Sequence, residues 1–502
     1  MKTTEKSGAS MNAPLESFEV GEGDVFGDML SRGRVSTGRP LKVGLVASGF
    51  FEYWRMYPDL RRQVIEDAEV VRERLSRNHD VEDSGLVDTV DAADEAAHRM
   101  RDANVDLIVL AYRTYIPDAY IHQFLSLLPD VPMLIFASQS RDEFDYADDY
   151  GGVLRNSGLM ALVQLVCGIQ RMGLRKTAIE CVAGSIYDDD AYRRIDQYIE
   201  VVTIFKRLRS MTFGMIGHVF RGMFDFEFDK TKVKSVLGPE ILNLQIDNLL
   251  ASWEQSPLDD VEVQNMLRHA RAKYNVNGVN VSELAKQARV AVALRRLVKR
   301  FRLDGLAVLG QHFVERKLKT TPYLAICELN RDGFPCVTEG DVIGLIMMKI
   351  LHHLAGYMPF FVEWSEFDVQ RNAWMLLGHG FCDPDQIRDK PPPLVPTPEQ
   401  WGIEGEGCSL CGVASPGPCT MAHFVEHPDG WKMFISGGEF IDIKSMPIND
   451  VHAIVRVERP IREYTELLVK AGVPHHAITV RGDVRPQLHQ LAALLGMSTI
   501  TL

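Results

Sequence analysis

From residue 41 onward the chain alternates short apolar runs with longer stretches in which apolar residues recur every three or four positions. Residues 41–49 (LKVGLVASG) have the pattern of a strand buried on both faces, and Val64, Ile65, Ala68, Val71 and Leu75 then fall in helical register. Residues 105–112 (VDLIVLAY) and 131–138 (VPMLIFAS) predict two further buried strands, separated by helical segments. Strands alternating with helices predict a doubly wound α/β domain. A second α/β unit is expected to open at residues 176–184 (KTAIECVAG), followed by a helix near Asp190 to Arg207 and strands in 212–220 and 305–313.

The last third has a different rhythm. Residues 322–333 read as a helix leading into a loop at Glu339, and 342–354 as a helix with an apolar face. Residues 360–380 alternate around the polar turn Gln370-Arg371-Asn372, as a hairpin does. After a Pro-rich connector (390–398), residues 423–444 carry two turn signals, Asp429-Gly430 and Gly437-Gly438, between β-type runs. The chain ends strand–helix–strand. The expected architecture is α/β: two Rossmann-like, doubly wound domains (41–175 and 176–325), then a C-terminal α+β domain (326–502) containing a small antiparallel β-barrel. Residues 1–40, rich in Gly, Ser and charge, read as a flexible tail with a short docking helix near residues 25–30.

Composition narrows the function classes. A chain of 502 residues with 46% hydrophobic and 25% charged residues fits a globular protein of two or three domains. The net charge of −13 argues against a nucleic-acid partner. The basic stretch at 295–302 (RRLVKRFR) reads as a solvated helix face. Eight scattered cysteines, a polar N-terminus and no long apolar run point to a cytoplasmic protein without a membrane partner. The first strand lacks a G-x-G-x-x-G turn, so no dinucleotide is expected.

Glu339, Glu363, His379 and the pair His475-His476 form a mixed carboxylate–imidazole set, each beside a Gly or Pro or inside an aromatic run. Oxygen and nitrogen donors of this kind suit Mn²⁺, Zn²⁺ or a related divalent ion. Each has an ordinary reading too. Thr338 as N-cap with Asp341 would make the Glu339 segment a helix start, Glu363 would face solvent on an edge strand, and His379 would be a hydrogen-bonded surface residue. His475 and His476, adjacent on a strand, point to opposite faces, so only one of them easily joins the same metal. Cys408, Cys411, Cys419 and His423 have a superficially zinc-knuckle-like spacing, read here as free cysteines. The acidic stretch 187–192 (YDDDAY) reads as a solvated loop before a helix whose N-terminus favours negative charge.

Taken with their flanks, these segments resemble the L-arabinose isomerase and L-fucose isomerase superfamily. GFPCVTEGDVIGLIMMKIL is similar to the family's segment with its first metal-binding Glu, PFFVEW to that with its second acidic ligand, MLLGHG to a His-bearing strand end, and GVPHHAITV to the C-terminal His-His segment. The resemblance is motif-specific from about residue 320 onward and only outlined in the N-terminal half, through LKVGLVASG, LAYRTYIP and the strand around Phe136. It implies a metal-dependent aldose–ketose isomerase of a free pentose, deoxyhexose or related sugar, working through an enediolate. Glu339 and Glu363 would be both acid/base pair and ligands, and His379 and His476 would complete the ligand set around a divalent ion, Mn²⁺ by preference. His475, Gln139, Phe50 and Tyr115 would meet the sugar, in a homo-oligomer (a hexamer) with active sites shared between subunits. The loops expected to read the sugar depart from the family. Residues 136–139 are Phe-Ala-Ser-Gln without the family's His, and residues 48–52 lack its Gln. A metal-dependent epimerase or aldolase, or a non-catalytic sugar-binding protein, are the alternatives.

Overall fold

The computed structural model describes residues 40–173, 179–276, 278–309, 314–398 and 407–502. The docking helix expected at residues 25–30 lies outside them. β1 (Lys42–Ser48), β2 (Asp80–Val87), β3 (Leu107–Tyr112), β4 (Met133–Gln139) and β5 (Ile179–Ser185) form a parallel sheet in the order β2-β1-β3-β4-β5. Every residue of β3 is buried, as a central strand covered on both faces by helices requires. β5, expected to open the second α/β unit, is instead the edge of the first sheet, in register with β4 from Met133↔Ile179 to Gln139↔Ser185. A buried strand pattern marks the strand but not the neighbour it pairs with.

β6 (Thr212–Ile216), β7 (Glu240–Leu244), β8 (Gly305–Val308) and β9 (Cys336–Val337) form the second parallel sheet, in the order β7-β6-β8-β9. The loop after β9 leads into the helix Val342–Ala355, which is buried from Val342 to Leu351. A helix apolar all round must be covered on every side, and this one packs on β8 and on three strands of the third sheet.

That sheet holds β10 (Phe360–Asp368) and β11 (Ala373–Leu377), paired around the expected turn. β12 (Leu394–Pro396) and β13 (Cys408–Leu410) make a separate pair. β14 (Gly412–Val413), β15 (Gly417–His427), β16 (Gly430–Phe440), β17 (Val451–Arg456), β18 (His476–Arg481) and β19 (Ser498–Thr501) complete the order β14-β17-β11-β10-β18-β15-β16-β19. β16 also pairs back onto β17, so the sheet closes into a ring of strands. Of the two turn signals in this region, Asp429-Gly430 marks the β15–β16 hairpin, but Gly437-Gly438 lies inside β16. A Cβ on Gly438 would come within 2.5 Å of Val455 and 2.7 Å of the Arg456 carbonyl. The glycine serves the close approach that shuts the ring, a role that local sequence does not distinguish from a turn.

Candidate metal and catalytic centre

The site lies where the second sheet meets the ring. Glu339 sits in the loop between β9 and the helix Val342–Ala355 and is only 2% exposed. The helix N-cap is Asp341, whose carboxylate accepts from Gly344 N–H at 2.7 Å. Thr338, the N-cap in the ordinary reading of this segment, is not it. Glu363 lies in β10 between β11 and β18, opposite Leu377 and His476, so the edge-strand alternative does not hold. His379 follows β11, between Gly378 and Gly380, and is nearly buried. His476 opens β18 and is fully buried.

These elements bring five of the expected residues together. His476 Nε2 lies 3.1 Å from Glu339 Oε2, and its Nδ1 lies 2.8 Å from Asp341 Oδ2. His379 Nε2 lies 3.0 Å from Glu363 Oε1 and 3.9 Å from Glu339 Oε1. His475 Nε2 lies 3.8 Å from Glu363 Oε1. Ligand atoms of Glu339, Glu363, His475 and His476 all fall within 4.8 Å of one another, the one such metal-type grouping among the described residues. His475 thus enters the tight group, and His379 stands beside it at the Glu363 side. Both adjacent histidines reach one site because the strand begins only at His476, which leaves His475 free of the strict alternation that would turn it away.

The electrostatics match a cation. The Glu339 and Glu363 carboxylates have ion pairs only with histidines among the described residues. Burial opposes ionisation of Glu363, yet the His379 hydrogen bond and the charges of His379, His476 and His475 bring it down to about 2. Glu339 is lowered in the same way, with His476 and His379 outweighing its burial. Burial likewise opposes charge on His476, but its bonds to Asp341 and Glu339 push it up to about 9. A buried pocket that raises the proton affinity of His476 and His379 stabilises positive charge at its centre. Two carboxylates, several imidazoles and no lysine or arginine partner are a donor set that fits a divalent ion. Asp341 bonded to Nδ1 leaves Nε2 of His476 facing the centre, the carboxylate–histidine arrangement that orients a ligand. Aromatic rings exclude water from one side: Phe226 stacks on His476 at 4.9 Å and Phe361 lies 4.2 Å from it.

Three functional residues were not legible in the sequence as such. Asp341 was read only as part of a helix start. Asp225 and Phe226 come from a turn after β6 that no motif singled out: Asp225 Oδ2 lies 2.6 Å from His475 Nδ1. Of the residues expected to meet the sugar, His475 is in the site, while Phe50, Tyr115 and Gln139 belong to the first sheet. Phe50 and Tyr115 pack together at the carboxyl ends of β1 and β3, at 6.2 Å between rings, and Gln139 ends β4. Cys408, Cys411 and Cys419 are free thiols, and His423 Nδ1 bonds the Phe424 carbonyl, so they form no metal grouping. No described helix is long and apolar enough to cross a membrane.

The comparisons agree with this geometry. No family model matches the chain. It is 23% identical over 313 residues to the sulfoquinovose isomerase of Priestia aryabhattai, covering 61% of this chain and 68% of the relative. It is 22% identical over 379 residues to the L-arabinose isomerase of Shouchella clausii, covering 74% and 76%. With the L-arabinose isomerase of Aeromonas hydrophila it shares 22% over 435 residues, covering 82% and 84%. The chain is therefore a distant homologue of L-arabinose and sulfoquinovose isomerases.

Proposed function

We propose that this protein is a metal-dependent aldose–ketose isomerase acting on a free pentose, deoxyhexose or related sugar. The observation that carries the reading is the convergence of Glu339 and Glu363 with His475 and His476 in one pocket without a lysine or arginine partner. Glu339, Glu363, His379 and His476 would hold the ion, and their oxygen–nitrogen mixture suits Mn²⁺. When bound, a divalent ion supplies Lewis-acid stabilisation of negative charge on the sugar's oxygens. The remaining work belongs to the side chains. The barrier to moving a proton between C1 and C2 is the weak acidity of a C–H beside a carbonyl. One of the two glutamates takes that proton and returns it to the neighbouring carbon, while the other handles the hydroxyl proton. Their lowered proton affinity keeps both ionised. Asp341 holds the His476 ring in place, and the Phe226 and Phe361 rings keep water from the enediolate.

Phe50, Tyr115 and Gln139 sit at the carboxyl ends of the first sheet, whereas Glu339 comes from the second sheet and Glu363, His379 and His476 from the ring. A homo-oligomer, a hexamer by family resemblance, would let one subunit's N-terminal loops meet sugar bound by its neighbour. The test is ketose formation from an aldose panel that includes L-arabinose, L-fucose and sulfoquinovose, with Mn²⁺ added. Glu339→Gln and Glu363→Gln should each lower turnover by roughly 10²–10⁴-fold with unchanged circular dichroism. Near-normal metal-dependent turnover in either variant would sink the assignment.

A further inference from the structure

The turn after β6 reaches across the site, and the isomerase reading uses only its Phe226 ring. It is tied to the centre at both ends. Phe220 N–H donates to the Glu339 carbonyl at 2.9 Å. At the other end Asp225 meets His475, 250 positions away in sequence, through a single oxygen. Asp225 Oδ2 accepts the His475 backbone N–H at 3.0 Å and stands 2.6 Å from the ring Nδ1. Phe226 lies against both histidine rings, 5.4 Å from His475 and 4.9 Å from His476. The other ring nitrogen of His475 points the opposite way, towards Glu363, at 3.8 Å, which is too far for a hydrogen bond.

We infer that Asp225 is a positioning residue that fixes His475 as its Nδ1–H tautomer and so presents an unprotonated Nε2 to the sugar. A carboxylate cannot donate, so the 2.6 Å contact requires the proton to be on Nδ1. In the neutral ring the Nε2 lone pair is then left facing the pocket, where it accepts from a sugar hydroxyl. The backbone N–H held by the same oxygen prevents the ring and the strand start from moving apart. A carboxylate that selects a histidine tautomer is a known device, and its amide replacement presents the wrong tautomer while the geometry survives. The role of Nε2 towards sugar rests on the isomerase reading, but the tautomer does not.

The experiment is ¹⁵N NMR of histidine-labelled, metal-free protein above the ordinary histidine titration range, with the His475 signal identified by its loss in His475→Asn. The wild type should show a protonated Nδ1 and an unprotonated Nε2 at His475. Asp225→Asn, which keeps the size of the side chain, should move the proton to Nε2 in part or in full. It should also lower kcat/KM about tenfold, mainly through KM, as expected when one hydrogen bond to substrate is lost. A wild-type His475 protonated on Nε2 overturns the inference outright, with no variant needed. A tautomer unchanged in Asp225→Asn overturns it as well. A changed tautomer with KM within twofold of wild type overturns the sugar-acceptor role. If no aldose is turned over at all, the isomerase reading fails while the tautomer result still decides the role of Asp225.

Discussion

Glu339 occupies the left-handed region at φ 62°, and Gly340 follows at φ 75°. A residue with a Cβ is rarely held there, and the strain is tolerated where surrounding contacts fix it. Here the fixing contact is the turn after β6. A Cβ on Gly340 would come within 2.5 Å of the His218 carbonyl oxygen and 2.9 Å of Val219 Cα. Gly340→Ala therefore combines a left-handed alanine, costing about 1–2 kcal/mol, with a backbone clash that must push the Glu339 loop away from His476. The expected outcome is a modest fall in melting temperature and a loss of tight Mn²⁺ binding, read by calorimetric titration. Retained wild-type affinity would show that the loop's position does not matter. At this scale the sequence exposed Glu339, because a carboxylate among Gly, Thr and Asp between a strand and a helix is unusual. It hid the partner role of Asp341, because that depends on a histidine 135 positions away.

Among the elements, three helices of the second unit show how charge and burial are reconciled. Glu328 on the helix Tyr323–Arg331 has a fully buried side chain. It accepts from Tyr274 Oη at 2.6 Å and from Arg331 at 2.7 Å, with His269 of the helix Val261–Lys273 at 3.2 Å. Arg295 of the helix Val281–Phe301 lies 3.7 Å away and pairs with Asp332. The basic stretch read as a solvated face is thus partly a structural one: Arg295 and Arg296 are committed to acids. Burial alone would raise the Glu328 carboxyl, but the His269, Arg331 and Tyr274 interactions lower it below its ordinary 4.5. A folded value below the unfolded one means that the stabilisation is full above the unfolded value. It is lost as pH falls through 4.5 towards the folded value. Glu328→Gln should cost roughly 1–3 kcal/mol at neutral pH, because it removes the charge that strengthens the bonds from Tyr274 and Arg331 to a fully buried side chain. Its urea midpoint should then fall less steeply than that of the wild type between neutral and acid pH. Parallel acid limbs would contradict this assignment.

Across the whole molecule, the site joins two bodies of structure. Glu339 comes from the loop after β9 in the second sheet, and Glu363, His379 and His476 come from the closed ring. An ion held between them binds only the folded arrangement, so it should stabilise by about 2.7 kcal/mol at a hundredfold excess over its dissociation constant. Chelator should lower the melting temperature of the wild type and leave that of Glu339→Gln nearly unchanged. An equal shift in both would place the ion elsewhere. The sequence by itself determined the alternation of strands and helices, the β10–β11 hairpin and the apolar helix Val342–Ala355, and it pointed to Glu339, Glu363, His379 and His476, because each is written in local periodicity or in a side chain whose chemistry stands out from its neighbours. Tertiary structure alone decided that β5 joins the first sheet, that Gly438 closes the ring and is no turn, that His475 converges with Glu339, Glu363 and His476, and that Asp225 and Asp341 lie within hydrogen-bond distance of the two histidines. Those are pairings between residues far apart in the chain. Local pattern fixes which face a residue presents, while only the packed fold fixes what that face meets.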